Sequence, residues 1–162
     1  MKELLLLRHA KSSWKTAGLS DHDRPLNARG KRDASRVGQL LRDEQLQPDL
    51  ILSSTAKRAR KTAKKVARAS GLEVRIELLD DLYHSGTSVH IQLLGEQSAD
   101  SECIMIVAHN PGLEATLETL VGQYQRLPTS ALAHLTLPII QWSELDHDTA
   151  ATLNDLWLPR EI

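Results

Sequence analysis

Short apolar runs alternate along the chain with stretches whose small and apolar residues recur at helical spacing, the pattern of an α/β layered domain with a mostly parallel sheet flanked by helices. Leu4 to Leu7 reads as a first buried strand ending directly in Arg8 and His9. The polar stretch from Lys11 to Arg24 is predicted as a loop. It leads through Pro25 into a helix that carries Gly30, Ala34, Val37, Gly38 and Leu41 on one face, with Asn27 as its cap. A second strand, Leu50 to Leu52, passes through Ser53 and Ser54 into a helix with Ala59, Ala63, Val66 and Ala67 inward and Gly71 at its end. Val74 to Leu79 is a third strand, Val89 to Leu94 a short helical piece, and Cys103 to Ala108 a fourth strand. After His109, Asn110 is placed to cap, and Pro111 to occupy the first turn of, a helix bearing Leu113, Leu117, Leu120 and Val121. A fifth strand is expected over Ala131 to Leu137. Beyond it the pattern weakens, with Trp142 and Thr152 to Leu158 suggesting one or two more edge strands.

At 162 residues, one domain spanning 1–162 is expected. Hydrophobic residues make up 41% and aromatic residues only 3%, with no Phe, so the core must be built mainly of leucine with Val, Ile and Ala. The formal net charge of −1 argues against a surface that is one electrostatic glove for nucleic acid or anionic lipid. A lone cysteine, Cys103, excludes an internal disulfide and falls in an apolar run as inert core. The start is too short for a secretory apolar region, and no run approaches the ~20 residues of a membrane helix, so a soluble, cytoplasmic protein is expected.

Chemistry concentrates at the carboxyl ends of the predicted strands, where open α/β sheets bind ligands. Strand one ends in Arg8 and His9, strand four in His109, and Arg58 lies on the opening turns of the helix after strand two. Two arginines and two histidines meeting there would suit a tetrahedral dianion, because guanidinium groups fork onto phosphoryl oxygens through charge-assisted hydrogen bonds. A histidine beside two positive charges would resist protonation and keep a lone pair for attack on phosphorus. Taken singly, each of these residues serves equally well as a surface or structural hydrogen-bonder.

Four spaced motifs carry a family resemblance: Leu-Leu-Arg8-His9-Ala10-Lys11-Ser12-Ser13; Arg24-Pro25-Leu26-Asn27 followed by Arg29-Gly30; Ser53-Ser54 with Arg58-Ala59 and Thr62-Ala63; and Val107-Ala108-His109-Asn110-Pro111-Gly112. In this order they resemble the histidine phosphatase superfamily and, within it, the short SixA-type phosphohistidine phosphatases. The resemblance implies a three-layer phosphoglycerate mutase-like fold. It implies too that His9 takes the phosphoryl group covalently while Arg8, Arg58 and His109 hold its oxygens, water then hydrolysing the intermediate without cofactor or metal. Ala10 and Lys11 stand where many members carry Gly and an acidic residue, and Thr55 replaces a common Pro. In larger members a Glu after the third strand protonates the leaving group. Here Asp80 and Asp81 occupy that region, and Asp81, just before Leu82-Tyr83, is the candidate, although both aspartates equally suit a strand end or a turn.

The segment between strands three and four is too short for a large lid, which favours a phosphorylated side chain on another protein over a small phosphomonoester. Asn110, Ser12 and Lys11 are further candidates for phosphate or substrate contact. Arg24 is expected on the rim, with Tyr83 and His84 at the entrance. A noncatalytic module that binds phosphate or an acidic partner is the reading from another class. It draws on residues 57–68, which hold seven Lys or Arg and no acid. Helical spacing assigns most of those cations to a solvated face, and no interleaved aromatics offer base stacking, so no nucleic-acid partner is expected.

Overall fold

Leu4, Leu5, Leu6 and Leu7 are all fully buried, as a strand covered on both faces requires. They form β1 (Lys2–Arg8) in a computed structural model that describes residues 1–162. The other strands are β2 (Leu50–Ser54), β3 (Arg75–Leu79), β4 (Cys103–Ala108), β5 (Leu132–Leu137) and β6 (Thr152–Trp157). The helices are α1 (Ala28–Asp43), α2 (Lys57–Ser70), α3 (Thr87–Gly95) and α4 (Gly112–Val121). One sheet orders the strands β3-β2-β4-β1-β5-β6. The pairs β1–β4, β2–β4 and β2–β3 are parallel, whereas β5 runs antiparallel to both its neighbours.

Alternate residues of β1 feed two separate cores, because successive strand side chains point to opposite faces. Leu5 and Leu7 pack with Ala34, Val37 and Leu41 of α1 and with Ala59, Ala63 and Val66 of α2. Leu4 and Leu6 pack with Leu93 and Leu94 of α3, with Leu113 and Leu117 of α4, and with Trp142. The result is three layers, helix pair on sheet on helix pair. Cys103 lies in the first core, where burial pushes its thiol up to about 12.

Asn27 caps α1 as expected, its side chain accepting from Gly30 N–H at 2.8 Å. Gly71 ends α2 in the left-handed region at φ 73°, where a Cβ would be strained. Other local expectations are corrected. Asn110 does not cap α4; its Nδ2 donates to the Leu127 carbonyl at 2.8 Å, and Pro111 stands at the cap position itself, just ahead of the first turn. Trp142 forms no edge strand but a 3-10 turn (Trp142–Glu144), fully buried with its indole N–H donating to Ser101 O at 2.7 Å. Only β6 follows β5 in the sheet.

Candidate active site

Register builds the site. Arg8 pairs with Ala108 across the parallel β1–β4 ladder, so the residues that follow the two strands, His9 and His109, emerge side by side at their carboxyl ends. Their ring centroids are 5.0 Å apart. Arg58 reaches the same spot from the first turn of α2, after β2, which adjoins β4 on its other side. Thr62, one turn along α2, fixes the helix to this point: its hydroxyl donates to Arg58 O at 2.6 Å and accepts from Ala10 N–H at 2.9 Å. Arg8, His9, Arg58 and His109 thus line one cavity of about 270 Å³, with Asn110 and Arg24 completing its polar wall. Lys11 and Ser12 also border it.

Hydrogen bonding sets the His9 tautomer. Its Nδ1 lies 2.8 Å from Ala10 O, and since a carbonyl can only accept, Nδ1 carries the proton and Nε2 keeps the lone pair. Burial above all, and then the positive charges of Arg58, Arg8 and Arg24, lower the His9 pKa to about 4 against the opposing pull of the Ala10 carbonyl. His109, pressed by burial and by His9 and Arg58, falls to about 3. Both rings are therefore neutral near pH 7. His109 Nε2 is 2.8 Å from Ser54 Oγ, and its Nδ1 has no partner. Arg8 Nε and Arg24 Nε are likewise buried without a partner. Unpaired buried polar atoms are rare and costly, and with Asn110 Oδ1 four of them lie on residues that line the His9 cavity.

Arg24 is not a rim residue. It is 8% exposed, its guanidinium donates to Ser12 Oγ, and its Cζ lies 3.3 Å from the centroid of the exposed Trp14 ring. A second cavity of about 320 Å³ shares Arg58, His109 and Asn110 with the first and continues past Tyr83, His84 and Ser85. The carboxylate at this junction is Asp21. It accepts from the Tyr83 hydroxyl at 2.6 Å and from Arg58 Nη2 at 3.0 Å, while Arg24 lies 3.3 Å from its other oxygen. The Tyr83 hydroxyl, with help from Arg58 and Arg24, holds the Asp21 carboxyl below the usual carboxylate range. Asp81 is exposed, makes no side-chain hydrogen bond and lines neither cavity, whereas Asp80 accepts from Thr55 Oγ1 at 2.6 Å. Asp21 escaped the sequence reading because it lies on a single 3-10 turn (Asp21–Asp23) inside an aperiodic polar loop.

One backbone contact holds the second cavity's wall. A Cβ on Gly112 would overlap Ser85 O and press on the His90 ring, which is itself buried between Ser85 Oγ at 2.9 Å and Thr116 Oγ1 at 2.6 Å. Gly112→Ala should therefore cost about 1–3 kcal/mol. Urea denaturation would measure it; no change in midpoint would show that the Ser85 segment yields freely.

The sequence profile of the family described as Histidine phosphatase superfamily (branch 1) matches residues 4–83. An uncharacterized chloroplastic protein of Arabidopsis thaliana is 37% identical over 152 residues, covering 88% of this chain and 70% of its own length. The chain belongs to the histidine phosphatase superfamily. Among solved structures of histidine phosphatases, one described as a phosphohistidine phosphatase SixA of Agrobacterium tumefaciens superposes with a TM-score of 0.84 at 34% identity, covering 98% of both chains. A second, described as a SixA of Nakamurella multipartitia, gives a TM-score of 0.85 at 27% identity, covering 98% of this chain and 96% of that one. This histidine phosphatase is of the SixA type, with the phosphoglycerate mutase-like fold, to which its six-stranded sheet and four helices belong. No helix is long and apolar enough to cross a membrane.

Proposed function

We propose that this histidine phosphatase removes phosphoryl groups from protein phosphohistidine by way of a covalent phosphohistidine on His9. The observation that carries the reading is the His9 Nε2 lone pair, fixed by the Nδ1–H···O bond to Ala10 in a cavity that it shares with Arg8, Arg24, Arg58 and His109. Phosphoryl transfer asks for positioning and charge stabilisation above all. His9 Nε2 attacks phosphorus in line, the new N–P bond forming as the bond to the leaving group breaks. Arg8, Arg24 and Arg58 hold the equatorial oxygens. Ser54 Oγ already accepts from Ala56 N–H at 3.2 Å, and by turning its own proton to His109 Nε2 it leaves His109 with Nδ1–H to donate to the phosphoryl group. Water then attacks the phosphohistidine, releasing inorganic phosphate and restoring the neutral imidazole. Asn110, Ser12 and Lys11 shape the pocket around these groups, and guanidinium charge supplies the electrostatic work without a metal.

Two features support the substrate class. The segment between β3 and β4 holds only a 3-10 turn (Asp80–Leu82) and the nine-residue α3, so the site stays open to a side chain projecting from another protein. Moreover, no carboxylic acid is poised to protonate a leaving oxygen: Asp21 is held ionised, and Asp81 stands outside both cavities. An alkoxide leaves badly without a proton, whereas a phosphohistidine whose other ring nitrogen is protonated brings its own proton and departs as neutral imidazole. The test is parallel kinetics on a phosphohistidine peptide, an aryl phosphate and an alkyl phosphate. The expected order of kcat/KM is peptide, then aryl, then alkyl, with a gap of about 100-fold or more between the extremes. Equal turnover of the alkyl ester would overturn the reading in favour of a small-molecule phosphomonoesterase.

A further inference from the structure

The face of α2 turned away from the sheet poses an electrostatic problem that the fold does not solve. Residues 57–70 contain no acid, and the cations pair with one another at helical spacing: Lys57 with Lys61, Arg60 with Lys64, Lys61 with Lys65, Lys64 with Arg68. Like charges four apart repel, and the Lys57 and Arg58 charges sit at the helix N-terminus, where the backbone dipole disfavours them. No side chain caps that end either. The burial of Ala59, Ala63 and Val66, with the Thr62 and Arg58 hydrogen bonds, holds the helix in place.

These charges also face something. Lys57, Lys61, Lys64, Lys65 and Arg68 line a groove of about 490 Å³ together with Lys31 from α1, over a floor of Pro25 and Leu26. None of the six cations lies within salt-bridge distance of a carboxylate. A surface that is charged for solubility intersperses both signs; this one segregates a single sign in a chain whose net charge is −1. The groove neighbours the catalytic cavity along the chain, since Lys57 precedes Arg58 and Pro25 follows Arg24, and both arginines line that cavity.

We propose that this groove docks an acidic segment of the phosphoprotein substrate, holding it alongside α2 while its phosphorylated side chain enters the site at His9. The proposal rests on the protein-phosphohistidine reading. From Lys57 to Arg68 the helix rises about 16 Å, which matches roughly five residues of extended chain. Carboxylates at that spacing would meet the ammonium groups that α2 leaves unpaired. No aromatic residue lines the groove, so it offers bases no stacking surface, and a nucleic acid is the poorer fit. Rim charges of this kind act mainly on encounter and on salt dependence.

Two phosphohistidine peptides that differ only in a flanking run of glutamates or of glutamines test it, with Lys61→Gln/Lys64→Gln/Arg68→Gln as the variant. The wild type should prefer the glutamate peptide by about tenfold in kcat/KM at low salt, falling towards parity at high salt. The variant should lose the preference while turning over an aryl phosphate at the wild-type rate. A preference that is absent from the wild type, or that survives in the variant, overturns the proposal. So does a single-stranded oligonucleotide that displaces the glutamate peptide at lower concentration than polyglutamate does. Should neither peptide be hydrolysed, the phosphohistidine reading falls by itself. Anisotropy of the unphosphorylated glutamate peptide then judges the groove: tighter binding to the wild type than to the variant upholds it, and equal binding refutes it.

Discussion

His9→Ala should remove turnover, lowering kcat/KM on an aryl phosphate by about 10⁴-fold or more, because the group that forms the bond to phosphorus is gone and nothing nearby can replace it. His109 is the closest imidazole, yet its Nε2 is engaged with Ser54 and its Nδ1 is needed as a donor. The fold should survive, since the His9 ring makes only the local hydrogen bond to Ala10 O. Quenching in alkali should preserve an acid-labile phosphoryl group on the wild type and none on the variant. A variant within tenfold of wild type, or one that still traps phosphate, would transfer the nucleophile's role elsewhere. The pH profile gives a second check on the same group. Lowering the His9 pKa to about 4 means that its lone pair persists on acidification through the range where an ordinary imidazole, near 6.5, would be protonated. After correction for substrate ionisation, the acid limb of kcat/KM should therefore fall near pH 4, and a limb near 6.5 would contradict the burial seen here.

How far this site was legible in the sequence depended on whether strand and helix periodicity positioned a residue. Arg8, His9 and His109 end apolar runs, and a parallel sheet delivers such ends to one edge. Arg58 follows a strand by a fixed short step, so it too was legible. Arg24 and Asp21 lie in a loop of Ser, Asp, His and Lys whose path is set by tertiary contacts: the bridge between Ser12 and Leu26, and the bonds of Asp21 to Tyr83 and Arg58. No local pattern encodes those. The Asn110 correction has a similar cause. Asn before Pro reads as a helix cap, but the carbonyl of Leu127, which also accepts from Arg8 at 3.2 Å, claims its amide instead. Trp142 looked like an edge residue because its flanks are polar, although it is the largest fully buried side chain of the second core.

Arg58 is the residue whose loss should cost most after His9. Its guanidinium is 7% exposed, donates to Asp21 O at 2.7 Å and to Asp21 Oδ2 at 3.0 Å, and forms part of the wall of both site cavities. In Arg58→Ala the phosphoryl group loses a positive partner and Asp21 loses the nearer of its two cations, keeping only Arg24, so its carboxylate repels the incoming dianion more strongly. The two effects act in the same direction, and a fall of about 10³-fold in kcat/KM is expected. Arg58→Lys should recover little of it, since a single ammonium cannot hold the Asp21 carbonyl and carboxylate and also fork onto phosphoryl oxygens. Adding Asp21→Asn to Arg58→Ala separates the contributions. If repulsion matters, the double variant should be faster than Arg58→Ala alone by about tenfold, mainly through KM. Identical rates would assign the whole defect to the lost contact with phosphate, and a slower double variant would show that Asp21 helps the reaction by itself.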